Sequence, residues 1–472
     1  MKLAYLTFCY NPSSCIQVII LSKVGVQDLK RVLIFLVALL SACLAELGCG
    51  GSQAPSTGTT GVTNRAFISN SVSAGTLAAG VDILNAETDV RASGAAISAG
   101  NNPGMMVVTP SHAQTVVFSG NGEQDSDNLL TFINNTSEQA PAHVTLPGMT
   151  ESILVSPDSS TVYVAVPTAP VVGQPPGLVE VVSTSSGTFT GQVAVPAVHY
   201  LSISNSGNFL FGFSDNTDSI AVITPTLIGV GNAVTYICCF DSPVSAFFSS
   251  GDTTAFVVNC GAECGGTQAS VQPVDMTTSP PTPGVAVPVP AASIALVNNS
   301  TMYLAGTPVP ASPCTGEVTQ ATTCGLLTTF NLSSMTVTNS TPIIITDGYH
   351  NRIAMGANGQ LYIGARTCTE VVPPVPPPAG AEVRGCLSIY NTLGTAVGTV
   401  AAGGVVIPPE NGDVTGIQPI ATRVVVYVVQ GGSLSIYSDL IDALEYNPND
   451  PNNPGQINNL VGQFVDIKTV DF

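Results

Sequence analysis

Few residues in this chain are of types that do chemistry, and its four histidines come first among them. His112 lies in a turn between strand-like runs, and His143 lies near a later strand. His199 and His350 stand at the starts of strand-like runs, and Arg352, two residues after His350, makes that pair the candidate for catalysis. No nucleophile elbow, zinc-protease helix or phosphate-binding glycine loop occurs in a suitable context. The sequence leaves enzymatic activity undecided and favours a non-enzymatic role.

An acidic segment, GNGEQDSDN at residues 120–128, is the only candidate for a metal site. Glu123, Asp125 and Asp127 are hard oxygen ligands of the kind that Ca²⁺ takes. A solvated polar loop explains the same residues, and we favour that interpretation. The sequence therefore predicts no metal and no cofactor.

Arginines are concentrated near the end of the chain. Only seven Lys and Arg follow Cys43, and four of them are Arg352, Arg366, Arg384 and Arg423. They could line an anion site, or they could be scattered surface charges that neutralise nearby acids. The second interpretation is favoured.

A repeated sequence pattern divides the chain into the units that must position these residues. It is clearest at residues 152–184, where a strand-like run and a polar turn (ILVSPDSS) precede a second run (TVYVAV) and a third (LVEVVST). The centres of the second runs recur at spacings of 50, 46, 47, 46, 47, 59 and 65 residues. They are Phe67, Val117, Tyr163, Leu210, Phe256, Tyr303, Tyr362 and Tyr427. Periods of this length with several strands per unit are typical of β-propeller blades.

The two ends of the chain predict how the ring closes. The first unit opens at its second strand, RAFISN at residues 65–70, and the last residues, VDIKTVDF, look like a first strand with nothing after it. If the C-terminal strand completes the N-terminal blade, two exposed sheet edges are removed. We therefore expect an all-β propeller of eight four-stranded blades, with seven blades as the alternative. Phrases such as VSPDSSTVYVAV resemble the YVTN-type repeat of bacterial exported propellers, over about residues 64–472.

Cysteines form a second pattern, since eight of the 12 lie in the repeats. Three pairs each bracket the loop between the second and third strands of one repeat. These pairs are Cys260 with Cys264, Cys314 with Cys324, and Cys368 with Cys386. In an exported chain they predict disulfides worth about 2 to 3 kcal/mol each. Cys238 and Cys239 either form a strained vicinal bridge or pair separately with Cys260 and Cys264.

The N-terminal region predicts export. Lys30 and Arg31 precede a short apolar run and then Leu-Ser-Ala-Cys ending at Cys43. This order is typical of a cleaved signal peptide, and the tetrad resembles the bacterial lipobox, which implies that Cys43 is lipidated. We expect residues 1–42 to be a signal peptide with an N-terminal extension. Residues 43–63, rich in Gly, Ser and Thr, would be a flexible tether, and residues 64–472 the propeller.

Charge and composition limit the partners. After Cys43, seven Lys and Arg stand against 29 Asp and Glu, a net charge of −22. Such a chain repels phosphate backbones, so nucleic acid is not expected as a partner. Leu44 after the lipid site implies, by resemblance to lipoprotein sorting rules, the outer membrane. The expected protein is a monomer held there by its lipid, facing the periplasm or the cell surface.

Three functions fit these observations. The first is a binding module in the cell envelope whose partner is an unknown protein or small molecule. The second is a hydrolase, since some YVTN-like propellers resemble bacterial lactonases with Arg, His and acidic residues at one mouth of the central channel. His350 and Arg352 are the only local match to that arrangement. The third is a purely structural envelope protein.

Overall fold

The computed structural model describes residues 3–11, 14–21, 59–71, 79–120, 127–310, 323–371, 384–397, 400–408, 412–444 and 460–471. The chain divides into two compact units, residues 1–54 and 55–472. In the first, β1 (Leu3–Asn11) and β2 (Ser14–Leu21) pair antiparallel. Residues 22–58, which include Lys30, Arg31, the apolar run, Cys43 and most of the predicted tether, lie outside the described residues. No helix within the described ranges is long and apolar enough to cross a bilayer.

The second unit is a ring of antiparallel sheets, which we number as blades 1 to 8. The strands of blades 1 to 4 are listed here in chain order: β3 (Arg65–Asn70), β4 (Gly80–Asn85), β5 (Val90–Arg91), β6 (Pro103–Val108), β7 (Gln114–Ser119), β8 (Leu129–Asn134), β9 (Gln139–Thr145), β10 (Ser152–Val155), β11 (Thr161–Val166), β12 (Leu178–Ser183), β13 (Thr188–Ala194), β14 (Val198–Ile203), β15 (Leu210–Ser214), β16 (Ile220–Ile223) and β17 (Val234–Ile237).

The strands of blades 5 to 8 and the closing strand follow: β18 (Pro243–Phe248), β19 (Thr254–Asn259), β20 (Ser270–Asp275), β21 (Thr282–Pro283), β22 (Val287–Pro288), β23 (Ile294–Asn298), β24 (Thr301–Gly306), β25 (Gly325–Asn331), β26 (Thr336–Val337), β27 (Ile343–Ile345), β28 (Tyr349–Met355), β29 (Gln360–Arg366), β30 (Leu387–Asn391), β31 (Val405–Val406), β32 (Val414–Ile420), β33 (Val425–Gln430), β34 (Ser433–Ser438), β35 (Ala443–Leu444) and β36 (Phe464–Thr469). In blades 5 and 6 two short strands share the outer position. Two single-turn 3₁₀ helices span Pro225–Leu227 and Gly261–Cys264.

Ring closure is made by the two ends of the propeller. Strand β36 pairs with β3, with Phe67 opposite Lys468 and Ile68 opposite Ile467, so blade 1 has the order β36-β3-β4-β5. The predicted closure and the count of eight four-stranded blades are both confirmed. The first strands of successive blades, β36, β6, β10, β14, β18, β23, β28 and β32, contact one another around the ring. They are therefore the innermost strands, and their inward side chains face the central channel.

The core lies between blades rather than within them. Side chains alternate along each second strand, so that successive residues face opposite neighbours. In β3, Ala66 and Ile68 pack against blade 8, whereas Phe67 packs against blade 2. The described residues form eight apolar clusters, each joining two adjacent blades. The strands are accordingly apolar on both faces, which is why the sequence shows continuous Val- and Ile-rich runs.

Polar turns end the first strands as their sequences indicate. In SPDSS the Asp158 carboxylate accepts hydrogen bonds from the Ser156 hydroxyl and the Ser160 amide, at 2.5 and 3.0 Å. Ser159 has a φ of 64°, which this local bonding stabilises. The same turns tie blades together, since Asp252 of blade 5 accepts the amides of Asn205 and Ser206 of blade 4. Each turn therefore sets the position of the next blade as well as the register of its own.

A similar hydrogen bond, from a backbone amide to a side-chain oxygen, recurs between the innermost strands of neighbouring blades. The Ser152 hydroxyl accepts the Leu201 amide at 3.1 Å, and the Ser202 hydroxyl accepts the Ala246 amide at 3.0 Å. At the closure, the Asp466 carboxylate accepts the Met106 amide at 2.9 Å. These bonds hold the inner ring at a fixed radius.

Disulfides occupy two of the predicted loop bases. Cys260 bonds Cys264, and Cys368 bonds Cys386. Cys324 is also disulfide-bonded, whereas Cys314 lies outside the described residues. Separate pairing of Cys238 and Cys239 with Cys260 and Cys264 is excluded, because those two are bonded to each other.

Candidate functional site

A pocket of about 300 Å³ lies at one mouth of the channel, where the first strands begin. Seven of the eight blades contribute to its wall. The wall consists of Met105, Phe118, Gly120, Met149, Thr150, Glu151, Tyr200, Val244, Ser293, Ile294, Tyr349, His350, Asn351, Arg352, Arg366 and Val465. Because residues from distant parts of the sequence meet here, this is the place where the ring assembles a site.

β-Bulges interrupt four first strands near this mouth, and two of the bulged residues, Val244 and Asn351, belong to the pocket wall. The pairing of first and second strands skips His199 in β14, Val244 in β18, Asn351 in β28 and Thr415 in β32. A bulge adds one residue to a strand and re-aims its side chain. The skipped residues occupy the same structural position in four blades, so the irregularity is part of how the site is built.

His199 lies beside the pocket and forms an ion pair with one of its wall residues, Glu151. Its Nδ1 lies 2.7 Å from Asp215 Oδ2, and its Nε2 lies 3.1 Å from Glu151 Oε2. The hydrogen bond with Glu151, reinforced by Asp215, raises the pKa of His199 to about 9. The same bond lowers the pKa of Glu151. At neutral pH the group is therefore an imidazolium between two carboxylates, which suits positioning rather than proton abstraction.

A pair of tyrosines spans the mouth. The Tyr200 hydroxyl of blade 4 lies 2.6 Å from the Tyr349 hydroxyl of blade 7, and the Tyr200 ring stacks on His199 at 4.6 Å. Burial raises the pKa of both phenols, so both stay protonated. Tyr200, Val244 and Tyr349 also belong to the wall of a second pocket of about 260 Å³. The tyrosine pair thus stands between two adjoining pockets.

The second pocket contains an acid of unusual pKa. Glu263 lies in the turn closed by the Cys260–Cys264 disulfide, and its carboxylate accepts the Thr307 amide at 2.9 Å. Burial raises the pKa of Glu263 to about 7. Its carboxyl therefore changes charge near neutral pH, close to the tyrosine pair.

Two arginines face the first pocket without a direct ion pair to a described carboxylate, and Asp466 and Glu151 act on Arg352 only through space. Arg352 donates from Nε to the Thr415 carbonyl at 2.6 Å, and burial together with Arg366 lowers its pKa. Arg366 Nε is buried and makes no hydrogen bond to any described residue. Over the described residues, neither guanidinium lies within ion-pair distance of a carboxylate.

The other five cations after Cys43 have partners elsewhere. Ion pairs or contacts within the described structure are Arg65 with Glu138 and Asp471, Arg91 with Asp82, Arg423 with Asp89, Lys468 with Asp466, and Arg384 with Cys324 Sγ. The four arginines singled out from the sequence do not form one group. Arg352 and Arg366 lie at the channel mouth. Arg384 is buried, and Arg423 joins blade 8 to blade 1.

His350, the histidine paired with Arg352 in the sequence analysis, belongs to the pocket wall, but its imidazole is buried between blades. Its side chain is 1% exposed, and it packs over Gly325 of blade 6. Its Nε2 lies 3.0 Å from the Thr346 carbonyl, and burial lowers its pKa to about 4. His350 is thus a neutral imidazole held between blades, while Arg352 lies at the pocket.

The acidic loop considered for calcium is only partly described. Asp127 Oδ2 accepts the Asn101 amide at 2.9 Å, and Glu123 and Asp125 lie outside the described residues. The one described group of possible metal ligands, Cys368, Glu370 and Cys386, includes both sulfurs of a disulfide. Those sulfurs are not thiolates, so the group is unsuited to a metal.

Sequence reasoning missed Glu151, Tyr200, Tyr349 and Glu263 as site residues. No motif marks the first three, but their position in the repeat could have identified them. They stand at the starts of first strands, as His199 and His350 do. Glu263 carried no such signal, since its placement depends on the turn that the disulfide closes.

Comparison with known proteins supports the fold. No family model matches the chain, and no curated relative matches it. Among solved structures, the dihydro-heme d1 dehydrogenase NirN has a TM-score of 0.54 at 10% identity, covering 86% of this chain and 75% of that chain. At such identity the likeness shows a β-propeller and says nothing of activity.

Two further structures are similar to a smaller degree. The periplasmic gluconolactonase PpgL of Pseudomonas aeruginosa has a TM-score of 0.44 at 14% identity, covering 86% of this chain and 98% of that one. Hydrazine synthase of Kuenenia stuttgartiensis has a TM-score of 0.44 at 16% identity, covering 62% and 78%. Neither similarity carries an argument about function.

Proposed function

We propose that the protein is an exported, lipid-anchored propeller that binds a small anionic molecule at the channel mouth. The observation that carries this proposal is the convergence of Arg352 and Arg366 on one pocket without a direct ion pair to a described carboxylate. The residues after Cys43 carry a net charge of −22, so two adjacent cations there would ordinarily be neutralised by carboxylates.

An unsatisfied buried donor supports the same conclusion. Arg366 Nε is buried and makes no hydrogen bond to a described residue. A buried donor without a partner costs about 1 to 3 kcal/mol, and more when it is charged. A carboxylate or phosphate oxygen at Arg366 would remove that cost, because guanidinium groups pair with both in bidentate geometry.

Titration calorimetry with phosphate, citrate and D-gluconate tests the binding proposal. We expect at least one of these anions to bind and Arg366→Met to weaken it about tenfold or more. Arg91→Met is the matched control, since it removes the same charge from an arginine outside the pocket that pairs with Asp82. The proposal fails if the wild-type protein binds none of the three, or if both variants bind equally.

Hydrolysis is the alternative function, and Glu263 is the observation that favours it. Glu263, with a pKa of about 7, shares the wall of the second pocket with Asp215, the partner of the protonated His199, so an acid and a base of separated pKa serve one pocket. Hydrolysis of D-glucono-δ-lactone, followed with a pH indicator, measures this directly. Loss of turnover in Glu263→Gln with anion binding retained would establish it, and absence of wild-type turnover on this lactone would remove its support.

Export and anchoring are proposed from the N-terminal sequence and are supported by the disulfides, which persist in oxidising compartments. Labelling with palmitate in a bacterial host tests the anchor. Incorporation should be lost in Cys43→Ser and kept in Cys49→Ser. Label retained in Cys43→Ser would contradict the proposed lipid site.

A further inference from the structure

Cys238 and Cys239 follow the end of β17 on the connection from blade 4 to blade 5. Both flanks of the pair are fixed: Ile237 is paired with Ile220 in the sheet, and the buried Phe240 donates its amide to the Asp218 carbonyl at 3.1 Å. The two cysteines themselves are exposed and are free thiols. They therefore form an accessible dithiol on a rigid support.

The backbone brings the two sulfurs together. Successive side chains of an extended strand point to opposite faces, but Cys239 has a φ of 77°, in the left-handed region. The two Sγ atoms lie 2.9 Å apart as a result. A disulfide bond is about 2.05 Å long, so bond formation requires an approach of about 1 Å. The strained conformation at Cys239 thus places the thiols ready to bond with each other.

Other partners are unavailable within the described structure. Cys260 bonds Cys264, Cys368 bonds Cys386, and Cys324 is bonded as well. Among described cysteines outside β1 and β2, each thiol of the pair therefore has only its neighbour. Exposed thiols are the ones that small reagents reach, whereas buried thiols are inert.

We propose that Cys238 and Cys239 are a reversible thiol–disulfide exchange site whose oxidant is a low-molecular-weight disulfide. One thiolate attacks a sulfur of the reagent, forming a mixed disulfide and releasing one small thiol. The neighbouring thiolate then attacks the bonded cysteine sulfur and releases the second small thiol. The two cysteines are oxidised, the reagent is reduced to two thiols, and two protons pass to solvent or to the released thiolates.

A disulfide between Cys238 and Cys239 closes a small ring that contains only the one peptide bond between these two residues. Such a constrained disulfide is expected to be more readily reduced than bridges that close ordinary loops, which is the property of labile and regulatory disulfides. The reaction does not depend on the anion pocket, so this proposal and the proposed function stand or fall separately.

Equilibration of the full chain with mixtures of glutathione and glutathione disulfide, followed by mass spectrometry of acid-quenched peptides, tests the proposal. We expect the peptide with Cys238 and Cys239 to lose two hydrogens without gaining glutathione, and to recover them at ratios where Cys260–Cys264 and Cys368–Cys386 stay oxidised. In Cys238→Ser and Cys239→Ser the remaining thiol should keep glutathione as a mixed disulfide, because the second thiol is missing.

A second probe reports on the reduced form. Phenylarsine oxide, which needs two neighbouring thiols, should bind one more equivalent on the wild-type chain than on either single variant, since any binding at Cys9 and Cys15, which lie opposite each other in β1 and β2, is common to all three proteins. Stable glutathione adducts on the wild-type pair, disulfide-linked dimers, or thiols that remain free in glutathione disulfide would each overturn the proposal. Unchanged thermal melting of the two variants would show that these outcomes reflect the thiols and not misfolding.

Discussion

Individual side chains at the channel mouth have protonation states set by their surroundings. His199 in blade 4 is held protonated by two carboxylates, whereas His350 in blade 7 is held neutral by burial. Glu263 lies between these extremes, with a pKa of about 7. The pH dependence of the protein therefore has separable contributions from named residues.

Glu263→Gln should stabilise the protein above pH 7. The raised pKa means that the native state holds a proton which the unfolded chain loses above about pH 4.5, so the native acid costs stability as pH rises from there to about 7. We expect a gain on the order of 1 to 3 kcal/mol at pH 8 and none at pH 4. Urea unfolding at both pH values measures it. The exposed Glu87→Gln serves as control and should change stability by less than about 0.5 kcal/mol.

His199→Gln should show the opposite dependence. The pKa of His199 rises on folding from 6.5 to about 9, so its interactions stabilise fully below about pH 6.5 and are lost as pH passes 9. The variant should be less stable than wild type at pH 6, and the difference should shrink by pH 10. Unfolding curves at pH 6, 8 and 10 follow this. A difference that does not vary with pH would mean that packing against Tyr200, and not charge, explains the loss.

At the scale of elements, strands were predictable and their irregularities were not. The second strands centred on residues such as Tyr163 and Tyr303 carry apolar side chains on both faces and are bounded by polar turns, so their pattern alone locates them. Bulges such as the one at Asn351 leave no such trace, because an added residue changes pairing without changing residue type. The sequence therefore predicted the blades and their register, and missed the residues that bulges aim into the pocket.

The disulfides at the loop bases should add more to the free energy of unfolding when the loop that they close is longer. Cys368 and Cys386 are separated by 18 residues, and Cys260 and Cys264 by four. The chain-entropy relation gives about 3 kcal/mol for the longer loop and about 2 kcal/mol for the shorter. Urea unfolding of Cys368→Ala/Cys386→Ala and Cys260→Ala/Cys264→Ala compares them. A larger loss for the shorter loop would show that its role in placing Glu263 and its neighbours outweighs chain entropy.

At the scale of the whole molecule, closure depends on residues from both ends of the propeller. Arg65 donates to Asp471 at 2.6 Å and to Glu138 at 3.0 Å, and all three side chains are buried. The sequence predicted the closing strand because the first blade lacks one. This ion-pair network was not predictable, since it joins positions 65, 138 and 471 through contacts that exist only in the closed ring.

Asp471→Asn should test how far that network supports closure. Removing one carboxylate leaves the buried Arg65 with Glu138 alone, and breaking a buried pair from one side costs about 3 kcal/mol or more. The free energy of unfolding in urea measures the loss. Asp275→Asn, at the exposed end of β20, is the control and should change stability by less than about 0.5 kcal/mol. Equal effects of the two changes would mean that β36 pairing alone closes the ring.

The hydrogen-bonded pair of Tyr200 and Tyr349 forms a partition between the two pockets, and a ligand either leaves this hydrogen bond intact or breaks it. A molecule that fits one pocket leaves the bond between Tyr200 and Tyr349 intact. A longer molecule must break that bond, worth about 1 kcal/mol net, before it gains contacts beyond it. Affinity should therefore not rise smoothly along a series of lengthening ligands: it should pause or fall at the length that first reaches the partition, then rise again.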